Sequence, residues 1–361
     1  MRREFLKLLA AVAAAPAVAP ALGAVFEQRA GPVDFDVLKR PSAYSTKAAG
    51  AVMLSLARAG ARLVATGERG FVLLSDDDGA TWRQARTVPV SVTLTAVHFA
   101  DAQRGCAVGH LGVILRTEDG GETWTVALDG SKVATLAVQA AQASGDAKAQ
   151  AVARALVDDG PDKPFLDVFF ESPSVVYAVG AYGLAVRSSD GGRQWQCWMS
   201  YLDNPKGLHL YAIRPAAENL FVAGEQGLLL RSSDTKSRLT PVSSPYAGSY
   251  FGLVAGQGAD LVLLGLRGRI FRSGDGGRNW AAVEADTKSS VTAGLRLAGG
   301  QVLAATQGGE LLVSAGADRP FRMSGHGVGV PIHAVVQSPS GDLVFATMRG
   351  MRVAPLKAVL S

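Results

Sequence analysis

The chain has 361 residues, of which 48% are apolar and 42 are glycine, and its formal charge is +5. That length suits two ordinary domains or one large all-β or repeat-built domain. The basic bias is mild and holds no long Lys/Arg run, so nucleic acid is excluded as the expected partner.

Residues 1–25, MRREFLKLLAAVAAAPAVAPALGAV, read as an export signal: Arg2, Arg3 and Lys7 precede an Ala-rich apolar stretch and small residues around Ala21–Gly23. The R-R-x-F-L-K order is twin-arginine-like. The usual Ser or Thr before the arginine pair is missing, which keeps a Sec route open. Pro16 and Pro20 argue against a retained anchor. Removing the signal leaves residues 26–361 with a charge of about +3, expected in the periplasm. Within them no segment offers about 18 uninterrupted apolar residues.

Val33–Lys39 (VDFDVLK) is a strand-like segment ahead of the first repeat. It is expected to supply the missing fourth strand of the last unit and close a ring. From there a glycine-marked turn recurs at Gly70, Gly112, Gly183, Gly227, Gly268, Gly309 and Gly350, with steps of 42, 71, 44, 41, 41 and 41 residues. Each unit holds short apolar runs separated by turns; the second reads LTAVHFAD, GCAVGH, GVILRTED, TWTVAL. Four antiparallel strands every 40-odd residues describe a propeller blade. The predicted fold is all-β, a seven-bladed β-propeller.

After four of the seven turns comes S/T-x-D-x-G-x-x-W, at Ser75–Trp82, Thr117–Trp124, Ser188–Trp195 and Ser273–Trp280, and after two more come degraded copies from Ser232 and Ser314. Asp77, Asp119, Asp190 and Asp275 are expected to fasten turns, and Trp82, Trp124, Trp195 and Trp280 to bury indoles against the blades. Arg116, Arg187, Arg231 and Arg272, just before these motifs, repeat in register and are read as scaffold. Cys106 and Cys197 lie in strand-like apolar runs, where buried thiols are favoured over a disulfide. The five histidines are scattered, so no metal site and no cofactor is expected.

The long step carries an insertion at about 130–164, rich in Ala, Gln and Lys, that predicts two helices broken near Ser144-Gly145. In a propeller the second-to-third-strand turns and the blade links share one face. Arg69, His110, Tyr182, Glu225, Arg267 and Arg349 should therefore gather there as partner-binding residues, with Tyr201, Tyr246, Tyr250 and Phe251 at the rim.

The S/T-x-D-x-G-x-x-W motif resembles the Asp-box of BNR-type propellers such as sialidases. That likeness implies three substrate-binding arginines and a Tyr–Glu pair. The chain offers only an altered YAIRP at Tyr211–Pro215, with Tyr182 and Glu225 on different blades, so no catalytic residue is assigned. The order glycine turn, apolar strand, S/T-x-D-G-G-x-x-W over nearly the whole mature chain, best in GLAVRSSDGGRQW and GRIFRSGDGGRNW, resembles the photosystem II stability/assembly factors. That resemblance implies a non-enzymatic propeller that binds a membrane protein or membrane protein complex, photosystem-like or transporter-like; the chain itself is expected to be a monomer. A carbohydrate-binding propeller or a sialidase-like hydrolase is the alternative.

Overall fold

The computed structural model describes residues 36–232, 238–256, 258–316 and 318–361. Within them the chain folds into seven antiparallel sheets in sequence order, six of four strands and the last of three. The innermost strands are Met53–Ala59, Leu94–Phe99, Phe165–Phe170, Leu210–Ala216, Tyr250–Ala255, Val291–Arg296 and Ile332–Gln337, opening blades 1 to 7. Second strands such as Val176–Gly180 and Leu261–Gly265 are buried along their whole length. Their near-continuous apolar runs follow from neighbouring blades covering both faces.

Two sets of turns define two faces. On one, the residue opening each second-to-third-strand turn (Glu68 in blade 1, Met348 in blade 7) donates its N–H to the carbonyl just before that blade's innermost strand, at 2.9–3.1 Å in all seven blades. These turns and the blade links thus share a tip face. On the other, the N–H groups of Gly120, Gly191 and Gly276 bond the first hairpins of their own blades at Gln103, Ser174 and Ala259.

The four S/T-x-D turns on that second face are superimposable in their bonding. Ser75, Thr117, Ser188 and Ser273 each donate to the following Asp77, Asp119, Asp190 or Asp275 at 2.8 Å. Each carboxylate then accepts the N–H four residues on at 2.9 Å. Trp124 and Trp195 are buried and Trp82 is half-buried, each indole N–H donating to a turn glycine carbonyl. Trp280 is half-buried, and its indole N–H finds no partner among the described residues. In the degraded copies Leu239 and Phe321 stand seven residues after Ser232 and Ser314 and are fully buried, filling the same slot. Residues 233–237 of the Ser232 copy lie outside the described set. Arg116 and Arg231 reach the Gly191 and Gly276 carbonyls of the next blade's turn, while Arg272 pairs with Asp260 and Arg187 lies over Tyr177.

Side chains of the innermost strands stitch each blade to its neighbour. Ser55 accepts from Val97 N–H, Thr95 donates to Phe165 O, Asp167 accepts from Ile213 N–H, and Thr292 donates to Ile332 O. The Tyr211 and Phe251 rings meet at 5.4 Å between blades 4 and 5, and Arg296 pairs with Asp260 between 5 and 6. His333 Nδ1 lies 2.8 Å from Met53 O between 7 and 1; facing a carbonyl, that nitrogen carries the proton.

Among the described residues, the N-terminal segment adds no strand to blade 7. Residues 33–35 lie outside the described set, and Asp36–Leu38 is a 3₁₀ turn. Val37 accepts from Ser91 N–H and packs with Leu38 on Val88, Val90 and Val92 between blades 1 and 2. Burying these two side chains there outweighs pairing a short, charged strand. The chain then straps across blade 1: Ser42 bonds Val88 O and Arg69 O, Ser45 and Ala43 bond Gln84, and Ala49 abuts Gly350 of blade 7.

The long step forms helix α1 (Gly130–Ser144) and helix α2 (Ala147–Asp159), N-capped by Asp129 and Asp146, with Gly145 left-handed between them. Val133, Ala137 and Ala153 pack on blades 2 and 3. Both cysteines are free: burial pushes the Cys106 thiol up to about 12, and raises that of half-buried Cys197. No helix of the described residues is long and apolar enough to cross a membrane.

Candidate docking face

In five tip turns the apex residue, Arg69, Leu111, Tyr182, Gln226 or Arg267, is left-handed (φ 52–56°), and all but Leu111, which packs on the core between blades 1 and 2, are exposed. The glycine that follows is obligatory where the turn meets a link: a Cβ on Gly70 would lie 2.2 Å from Val90 O. Arg69, Tyr182, Arg267 and Arg349 are exposed at apices, and His110 is exposed one position earlier.

Glu225 opens its turn and points back, accepting His209 N–H at 3.3 Å, as Glu68 accepts Val52 N–H at 3.0 Å. Tyr182 N–H donates to His209 Nδ1 at 2.9 Å and the two rings meet edge-on at 4.8 Å. His209 thus joins Tyr182 and Glu225, which the sequence separated. It was legible only as the residue before an innermost strand. Lys163, closing the helical insertion, sits 5.1 Å from the Tyr182 ring centroid.

The expected aromatic rim is thinner than four residues. Tyr201 is exposed, but Tyr250 is fully buried with its hydroxyl on Ser244, Tyr246 stacks on Phe271, and Phe251 faces the channel. Tyr250 and Phe251 open the innermost strand of blade 5, and that strand's burial claims them.

Charge distinguishes the faces. Away from the tips, Arg62 and Arg83 share Asp76 and Glu122, Arg104 holds Asp101, and Arg322 holds Glu284 and Asp286. At the tips, no carboxylate among the described residues pairs with Arg69, Arg267 or Arg349. A groove of about 270 Å³ runs between the helices and blade 3, lined by Ala141, Val152, Tyr182, Cys197, Met199 and Arg238. Among the described residues no group of three or more His, Cys, Asp or Glu side chains could hold a metal ion.

These features define a seven-bladed β-propeller with its variable side chains on one face. The model of the family described as photosynthesis system II assembly factor YCF48 matches residues 146–321, from α2 through blade 6. The photosystem II assembly lipoprotein Ycf48 of Synechococcus sp. (strain CC9902) is 27% identical over 133 residues, 35% of this chain and 38% of that relative. The chain thus spans under half the length of the curated relative it matches. Two solved structures share the fold: YCF48 bound to a D1 peptide (TM-score 0.61, 14% identity, 84% of this chain and 93% of that one) and YCF48 from Cyanidioschyzon merolae (0.62, 15%, 87% and 97%). The chain resembles the photosystem II assembly-factor family in sequence over its middle blades and in fold over most of its length.

Proposed function

We propose that this chain is a non-enzymatic, exported propeller that docks through its tip face on an acidic segment of a membrane protein and acts in assembly or stability of its complex. The observation that carries this reading is the set of exposed guanidiniums at Arg69, Arg267 and Arg349, which no carboxylate among the described residues pairs with. An unpaired arginine retains its full capacity for bidentate carboxylate recognition. Tyr182, held by His209, adds a rigid aromatic, and His110 a further donor. Glu225 serves as the brace behind Tyr182. The relative bound to a D1 peptide supports a peptide client, and the lipoprotein relative supports export.

The test is capture from detergent-solubilised membranes by the purified chain, with a photocrosslinker at position 226 identifying the client. Arg267→Glu with Arg349→Glu should reduce capture at least tenfold while leaving the melting temperature unchanged. Undiminished capture removes the tip arginines from the reading. Retention on a glycan array, with no crosslinked polypeptide, replaces it with the carbohydrate-binding alternative.

A further inference from the structure

The tip face leaves a second region unexplained, the channel enclosed by the seven innermost strands. It holds about 750 Å³, within the range of small-molecule sites. Near the tips its polar groups are already committed: Thr95, Thr292 and His333 each bond a neighbouring blade's carbonyl. At the opposite end three polar side chains are also engaged, among them Gln337 Nε2 on Gly341 O at 2.9 Å and Arg296 on Gly300 O at 3.3 Å, but two of the three carry a positive charge. Arg296, Gln337 and Arg58 occupy the same pleat position on three consecutive blades, 6, 7 and 1, opposite Val302, Leu343 and Leu63 of their second strands. All three line the channel.

Their charge is incompletely balanced. Arg296 shares Asp260 with Arg272, so one carboxylate answers two guanidiniums, and the Arg296 Nε is buried without a partner among the described residues. Arg58 is exposed and, among the described residues, bonds only a carbonyl, Gly60 O at 3.3 Å. Across the channel, Arg214 is cancelled by Asp167. The positive excess therefore lies on one arc, with the Gln337 amide between its two arginines. Two planar donor forks flanking an amide suit an oxyanion with at least two acceptor oxygens.

We infer that the channel end remote from the tips binds a small oxyanion ligand, carboxylate or phosphate, gripped by Arg58 and Arg296 across Gln337. This site is separate from the tip face and does not depend on a protein client. Calorimetric titration of the full chain with citrate and with inorganic phosphate, at constant ionic strength set by chloride, tests it. Saturable binding of one anion per chain is expected, weakened at least tenfold by Arg58→Gln and unchanged by Arg69→Gln on the other face. Whichever anion binds more tightly identifies the carboxylate or the phosphate form. Gln337→Leu, which removes the amide but no charge, should weaken binding by a smaller factor. No saturable heat with either anion, or equal affinity in the wild-type and Arg58→Gln proteins, overturns the inference.

Discussion

His98 shows how a single side chain couples this fold to pH. It projects from blade 2 into the channel wall, where Nδ1 accepts the Phe170 N–H at 3.2 Å and the ring lies 4.8 Å from that of Phe169. Burial, and then the nearby Arg214 guanidinium, lowers its pKa to about 3. The imidazole is therefore neutral when folded, whereas in the unfolded chain it titrates near 6.5. A depressed folded value means the stabilisation is complete above pH about 6.5 and is lost as pH falls toward 3. Protonation would remove the Phe170 bond and place a cation beside Arg214. His98→Asn, which keeps an acceptor but cannot titrate, should flatten the melting temperature between pH 6.5 and 4 relative to wild type. An unchanged slope would place the acid sensitivity elsewhere.

At the scale of the element, the S/T-x-D turn is a closed hydrogen-bond circuit. Asp190 accepts from Ser188 Oγ, Arg193 N–H and Gln194 N–H at 2.8–3.0 Å. Its burial would raise its pKa, but these bonds prevail and hold it below the usual carboxylate value. Asp190→Ala should cost about 1–2 kcal/mol in denaturant unfolding, because the turn is partly solvated and water replaces some of what is lost. Client capture and anion binding should not change. A loss beyond about 3 kcal/mol would mean that the blade 3 sheet fails with its turn.

This is also the scale at which the sequence speaks most clearly. The seven-sheet period was legible because each blade repeats the same glycine turn and apolar strand lengths. The inter-blade stitches were not, because the interfaces use six kinds of stitch: a serine, two threonines, an aspartate, a ring pair, an ion pair, a histidine. A repeat search discards such variety as noise. The tip turns suffered from a finer ambiguity. His110 and Glu225 stand at the first turn position and Arg69 and Tyr182 at the second, and which position is exposed differs from turn to turn, His110 in blade 2 but Arg69 in blade 1.

Over the whole molecule, the distinctive problem is closure. Many-stranded rings need their first and last sheets joined, and a shared strand is the usual way of removing an exposed edge. Here blade 7 ends with Gly350–Ala354, and the chain departs into the short helix α3 (Leu356–Leu360), whose Val359 packs in the cluster between blades 6 and 7. The seam between blades 7 and 1 is held among the described residues by His333 on Met53 O, by Ser340 N–H on Asp78, and by the strap at Gly350. Gly350 has φ +78°, and a Cβ there would stand 2.1 Å from Ala49 O and 2.8 Å from Gly50 Cα, both backbone atoms with no rotamer to yield. Gly350→Ala combines left-handed strain with displacement of the strap, a cost of roughly 2 kcal/mol or more. The loss should be local before it is global. Hydrogen exchange should accelerate first in Met53–Ala59 and Ile332–Gln337, while blades 3 to 5 keep their protection. Uniform acceleration in all seven blades would show instead that the ring opens as one cooperative unit and that this seam is no weaker than the others.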